Sequence, residues 1–174
     1  HAVLMARAVV GDEPFALFFP DDVIISEVPA IRQLMDLYGK YGHSVLAVQE
    51  LPPQQVIHYG VIDARPVEPG VHQVMGIIEK PPLGQAPSNL AIVGRYILSE
   101  SIFQHIDRIP AGANGELQIT DALASQIASG ERHPLRALRD GTVFFGGVTG
   151  SMLAGLLWCR RNAASFAKLS DYFA

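Results

Sequence analysis

The stretch GIIEKPPLGQAPSNLAIVGRY, residues 76–96, holds two apolar runs separated by a polar, proline-bearing segment. Its first run reads as a strand ending at Glu79-Lys80-Pro81, and the second, from Asn89 to Leu98, as a strand returning to the same sheet. Pro81 and Pro82 stop the first strand, so the two charged side chains before them end at a sheet rim. There Glu79 can accept hydrogen bonds from vicinal sugar hydroxyls, and Lys80 can set a compact positive charge on a phosphate. A sugar phosphate needs both groups within a few ångströms of each other. A lone Glu-Lys-Pro is more often a solvated strand end, so the segments around it have to decide.

Working outward, the chain has 174 residues and a 49% hydrophobic composition, enough for one sizeable core and a single domain spanning residues 1–174. Thirteen Lys and Arg stand against 17 Asp and Glu, a net charge of −4, and the basic residues are scattered apart from Arg160-Arg161. That balance gives no footprint for nucleic acid. Cys159 is the only cysteine, so no internal disulfide can form. No unbroken apolar run approaches the length of a membrane span, and the first residues show no signal-peptide pattern. The expectation is a cytoplasmic protein with no membrane or nucleic-acid partner.

Strands and helices alternate along the chain. Residues 15–20 read as a buried strand delivering Asp21 and Asp22 to a loop, and Val28, Ile31, Leu34, Met35 and Tyr38 fall at helical spacing before Gly39 and Gly42. Strands are expected over 44–49, from Gly60, and over 71–78, with a short helical or irregular connection over 52–59. Ser99 is placed to cap a helix carrying Ile102, Phe103, Ile106 and Ile109, and Thr120 another running through Ile127. One or two strands over 135–145 and a long final helix over 152–169 complete the pattern. Such alternation predicts a layered α/β domain with a mostly parallel sheet.

Two further groups of residues could carry chemistry. Acidic residues just past a strand's carboxyl end lie where open α/β sheets place ligands, and a hard oxygen ligand suits magnesium arriving with a nucleotide. By residue type alone, a turn or capping role for Asp21 and Asp22 is the better reading. Gly60 opens a strand without a side chain, which would let a ligand approach its amide, though a turn glycine is the plainer account. The polar residues of 115–121, GELQITD, look suited to organising a helix N-terminus and are not assigned to the site. The six histidines show no ligand spacing, and neither Ser88 nor Cys159 has a visible base partner.

The longer match decides among these readings. EKP followed by APSNLAIVGRYIL, with FPDD upstream and NGELQITDAL downstream, resembles the bacterial UTP-glucose-1-phosphate uridylyltransferases, or UDP-glucose pyrophosphorylases, from His1 to about Asp140. The resemblance implies a three-layer, mixed-sheet domain of the nucleotide-diphospho-sugar transferase type. It implies that UTP and glucose 1-phosphate are converted to UDP-glucose and pyrophosphate by direct attack of the sugar phosphate, assisted by Mg²⁺. Under it Lys80 holds the sugar phosphate and is the catalytic residue. Glu79 takes the sugar hydroxyls, Gly60 and the backbone around Val93 and Gly94 lie against the hexose ring, and Asp21 helps hold the metal while Asp22 stays structural.

The sequence departs from the family at two places. The opening His1-Ala2-Val3 resembles the tail of the family's GLGHAV motif, so the expectation is an N-terminally truncated chain lacking the family's first strands and its glycine-rich phosphate loop. Where the family carries a second metal-binding aspartate, this chain has Phe145 followed by Gly146 and Gly147, and phenylalanine offers a hard cation no lone pair. Two readings follow: a uridylyltransferase whose chain as given has little activity, or a non-catalytic relative that keeps a sugar-nucleotide pocket or serves as an assembly subunit. Exposed strand edges in such a partial sheet would favour self-association into a homo-oligomer.

Overall fold

A computed structural model describes residues 2–20, 22–110, 117–130, 134–137 and 143–145. Two short helices, α1 (Ala2–Met5) and α2 (Arg7–Val10), precede strands β1 (Phe15–Phe18) and β2 (Val23–Ile25). Helix α3 (Ala30–Tyr41) leads to β3 (Val45–Glu50), and a single 3₁₀ turn at Val56–His58 leads to β4 (Gly60–Glu68) and β5 (Val71–Glu79). After β6 (Leu90–Leu98) come α4 (Ile102–Arg108), α5 (Ile119–Ala128), β7 (Pro134–Ala137) and β8 (Val143–Phe145). Six strands form one sheet in the order β1-β6-β3-β7-β5-β4, and β2 pairs with β8 in a second. The expected helix over 152–169 lies outside the described residues.

The period-two alternation of β3 and β6 explains the layers. Leu46 and Val48 join Ile92, Tyr96 and Leu98 on one face, packed with Ile102, Phe103 and Ile106 of α4 and Ala122 and Leu123 of α5. Val45, Ala47, Val93 and Ile97 point the other way, onto Ala30, Leu34 and Leu37 of α3. The result is helix, sheet, helix, with a core on either side of the sheet. Each strand can be apolar on both faces because both are covered.

Three features differ from the sequence reading. Among the described strands only β3 and β7 pair in parallel, and every other pairing is antiparallel. The α/β class and the mixed sheet hold, while the parallel majority does not. For β4 and β5 the cause is connection length: Pro69 and Gly70 turn one strand back on the other within two residues, with Gly70 at φ +76°, and a parallel pair needs a long crossover. The one parallel pair, β3 and β7, is joined by a long route that includes α4 and α5.

Helix α3 also begins later than its apolar spacing suggests. Val28 precedes the helix and is exposed, as is Met35, because the row facing the sheet is Ala30, Leu34 and Leu37. Gly39 lies inside the helix, and Gly42 ends it with φ +69° and an amide donating to the Tyr38 carbonyl at 2.7 Å. Last, neither expected cap is made. Ser101 and Gln118 occupy the N-cap positions of α4 and α5, neither with a side-chain cap bond, and Thr120 lies inside α5.

A candidate sugar-phosphate site

The site grows from the end of the β4–β5 hairpin. Gly60 opens β4 directly opposite Glu79, the last residue of β5. The ladder runs one step further, because the Lys80 amide donates to the Tyr59 carbonyl at 3.0 Å. Lys80 then turns into the left-handed region, φ +46°, immediately before Pro81. Outside glycine such a backbone costs about 1–2 kcal/mol, so its neighbours must hold it there. The reversal ends the strand and leaves Glu79 and Lys80 on the wall of one hollow, about 530 Å³ in volume.

Residues distant in sequence complete that wall. The alternation along β6 brings Ile92, Gly94 and Tyr96 to it, while Val93 belongs to the opposite face and is buried against α3. Val93 is not among the residues that line the hollow. The two glycines are places of close approach. A Cβ on Gly60 would stand 2.9 Å from Thr120 Cγ2 and 3.1 Å from Glu79 Oε2. A Cβ on Gly94 would stand 2.5 Å from Phe19 Cβ and collide with the Asp22 carboxylate. Both positions therefore have to be glycine for the wall to close this tightly.

Among the described residues the charges at the hollow are two carboxylates, Asp22 and Glu79, and one ammonium, Lys80. Asp22 accepts the Gly94 amide at Oδ2, 2.8 Å away. The Tyr96 hydroxyl feels both acids: burial first, then the negative charges of Asp22 and Glu79, push the phenol well above its ordinary range. It therefore remains a neutral group beside the hollow. His58 also lines the hollow. Two carboxylates suit a magnesium ion that arrives on phosphates, since that ion asks for one or two carboxylates and keeps its remaining positions for phosphate and water. A cluster of three metal-ligating side chains is absent among the described residues.

Gly60, Glu79, Lys80 and Gly94 are thus brought together as the sequence reading expected, while Asp21 lies outside the described residues. The backbone of Phe145 pairs with Val23 in the β2–β8 ribbon. Asp22, Tyr96, Gln118 and Thr120 line the hollow and were not assigned to it from the sequence. Tyr96 was within reach, since it lies two residues beyond Gly94 on one strand and so on the same face. Thr120 carried no such signal. Its contact with Gly60 depends on how α5 docks; the residue is 6% exposed, and its buried Oγ1 has no hydrogen-bond partner among the described residues. Ser88 serves the sheet, since its hydroxyl donates to the Ile62 carbonyl at 2.6 Å and accepts from the Leu90 amide.

A layered α/β sheet carrying an acid–amine pair over a glycine-lined hollow is the setting of a nucleotidyl transferase. The family model described as nucleotidyl transferase matches residues 1–142, and the chain belongs to that family. Within it, the chain is 47% identical over 123 residues to the UTP–glucose-1-phosphate uridylyltransferases of Staphylococcus epidermidis and Bacillus subtilis. The match covers 71% of this chain and 43% and 42% of those proteins, so the chain spans less than half the length of the curated relatives it matches. A crystal structure of UDP-glucose pyrophosphorylase complexed with UDP-glucose superposes with a TM-score of 0.84 at 37% identity, covering 92% of this chain and 62% of that one. A UTP-bound enzyme from Acinetobacter baumannii gives 0.79 at 28% identity, over 99% of this chain and 60% of its own.

Proposed function

We propose that the protein takes part in uridylyl transfer between UTP and glucose 1-phosphate, with UDP-glucose and pyrophosphate as products. The observation that carries this reading is the opening of Glu79 and Lys80 into one hollow whose floor is kept bare by Gly60 and Gly94. A phosphate oxygen of glucose 1-phosphate forms a bond to the α-phosphorus of UTP, and the bond from that phosphorus to the pyrophosphate oxygen breaks. No covalent enzyme intermediate is needed, so positioning and charge neutralisation carry the catalysis.

Lys80 places its ammonium on the sugar phosphate, and the left-handed backbone directs it there. Glu79 accepts hydrogen bonds from the hexose hydroxyls, and the ring lies against the backbone at Gly60 and from Val93 to Gly94. Asp21 is the proposed ligand for Mg²⁺, which when bound would neutralise charge on the non-bridging phosphate oxygens. The names of the relatives support the substrates, and a cytoplasmic homo-oligomer is the proposed state. No helix among the described residues is long and apolar enough to cross a membrane.

A calorimetric titration with UDP-glucose tests the pocket. The chain is expected to bind it, and Glu79→Ala to weaken binding by about tenfold or more through loss of charge-assisted hydrogen bonds. Equal affinity in the two proteins removes Glu79 from the site. A second reading, binding without turnover, is favoured by Phe145, which cannot ligate a metal where the resemblance places the second aspartate. Pyrophosphate release from UTP and glucose 1-phosphate separates the two: the chain as given is expected to show essentially none, and clear Mg²⁺-dependent turnover would overturn that expectation.

A further inference from the structure

Arg95 does not line the hollow. The alternation of β6 places it with Val93 and Ile97 on the α3 face, yet its guanidinium gathers the segment that forms one of the hollow's walls. One nitrogen, Nη1, donates to the carbonyls of Phe19 and Gly94, both at 2.9 Å, and Nη2 donates to the Asp22 carbonyl at 2.5 Å. The guanidinium plane also stands 4.9 Å over the Phe18 ring, which is half exposed and shields it. Phe19 and Asp22 are also tied to β6 through Gly94. The Phe19 amide donates to the Gly94 carbonyl at 2.8 Å, and the Gly94 amide donates to Asp22 Oδ2 at the same distance.

We propose that Arg95 is a positioning residue that locks Phe19 and Asp22 onto β6, and so fixes them as a wall of the sugar-phosphate hollow. This rests on the reading of the hollow given above. The chemistry explains why arginine stands here. Carbonyls from residues 19, 22 and 94 converge on one planar group, and a guanidinium offers rigid, spread donors where an ammonium offers a single point. Without it, Phe19 and Asp22 would keep the Phe19 amide bond and the Asp22 side-chain bond to Gly94, and lose the guanidinium that joins the carbonyls of residues 19, 22 and 94. Asp22 would then be held to β6 by its side-chain bond to the Gly94 amide, with its own carbonyl released.

Two measurements on the full chain test the proposal, using Arg95→Lys as the conservative variant and Arg95→Met as the neutral one. Hydrogen exchange at the Phe19 and Gly94 amides is expected to speed up by about tenfold or more in both, while amides of Ala47 and Val48 in the centre of the sheet keep their rates. UDP-glucose affinity is expected to fall by about tenfold, at a temperature where both variants are fully folded. Unchanged exchange at Phe19 and Gly94 overturns the proposal, because the anchor would then lie elsewhere. Faster exchange with unchanged affinity also overturns it, because Arg95 would then be structural only. If the parent chain takes up no UDP-glucose while exchange responds as expected, the ligand reading fails and the locking of the wall by Arg95 stands.

Discussion

Lys80 joins two opposed demands at one residue. Its left-handed backbone, φ +46°, is unfavourable for any side chain, yet the ammonium is what a phosphate site requires. The Tyr59 carbonyl holds the amide from one side and Pro81 follows on the other, so the strain is kept by structure outside the residue. Two variants separate the demands. Lys80→Gly and Lys80→Ala both remove the ammonium and are expected to weaken UDP-glucose binding equally. In urea unfolding, Lys80→Gly should be the more stable of the two by about 1 kcal/mol, because only glycine occupies this backbone region freely. Equal stabilities would show that Lys80 is not strained.

At the scale of the element, β6 carries the most. One edge pairs with β3, the other first with β4 and then with β1, and its two faces serve two cores. Gly94 lies at its centre, bonded to both Phe19 and Asp22. In Gly94→Ala the new methyl would stand 2.5 Å from Phe19 Cβ and against the Asp22 carboxylate. Overpacking of this kind is expected to cost about 1–3 kcal/mol in urea unfolding. Gly76 is the control within β5, since a methyl there meets only Asp63 Cβ at 3.8 Å, an ordinary contact. Gly76→Ala is expected to be neutral or stabilising by about 0.5 kcal/mol. A Gly94→Ala variant as stable as Gly76→Ala would mean that Phe19 and Asp22 do not sit as described.

The whole molecule shows its site through pH. Tyr96 is buried beside two acids, and its phenol pKa in the folded state is raised above the ordinary 10.0. An unfolded chain therefore releases this proton first as pH rises, so unfolding gains free energy above about pH 10. The stability from keeping Tyr96 neutral is complete below about pH 10 and is lost progressively above it. The urea midpoint of the parent is expected to fall between about pH 9 and pH 11, and Tyr96→Phe to show a smaller fall over that interval. An identical fall in both would place the responsible group elsewhere.

How much of this was legible in the sequence depended on the range of each interaction. Glu79, Lys80 and the two prolines lie within four consecutive positions, so a strand end with paired charges follows from local chemistry alone. The strands 71–79 and 90–98 and the helix over 30–41 were legible for the same reason, since their apolar periods are local. What lay beyond was decided by docking. The direction of β5 against β4 depended on a two-residue turn at Pro69 and Gly70. Thr120 reached Gly60 because α5 packs across β5, and Asp22 reached Gly94 across 72 positions of sequence. The amino-acid sequence by itself determined the elements, the acid–amine pair and the family. Only the tertiary structure decided which other side chains face that pair, because a contact between distant residues depends on where whole elements pack, and no local pattern encodes that packing.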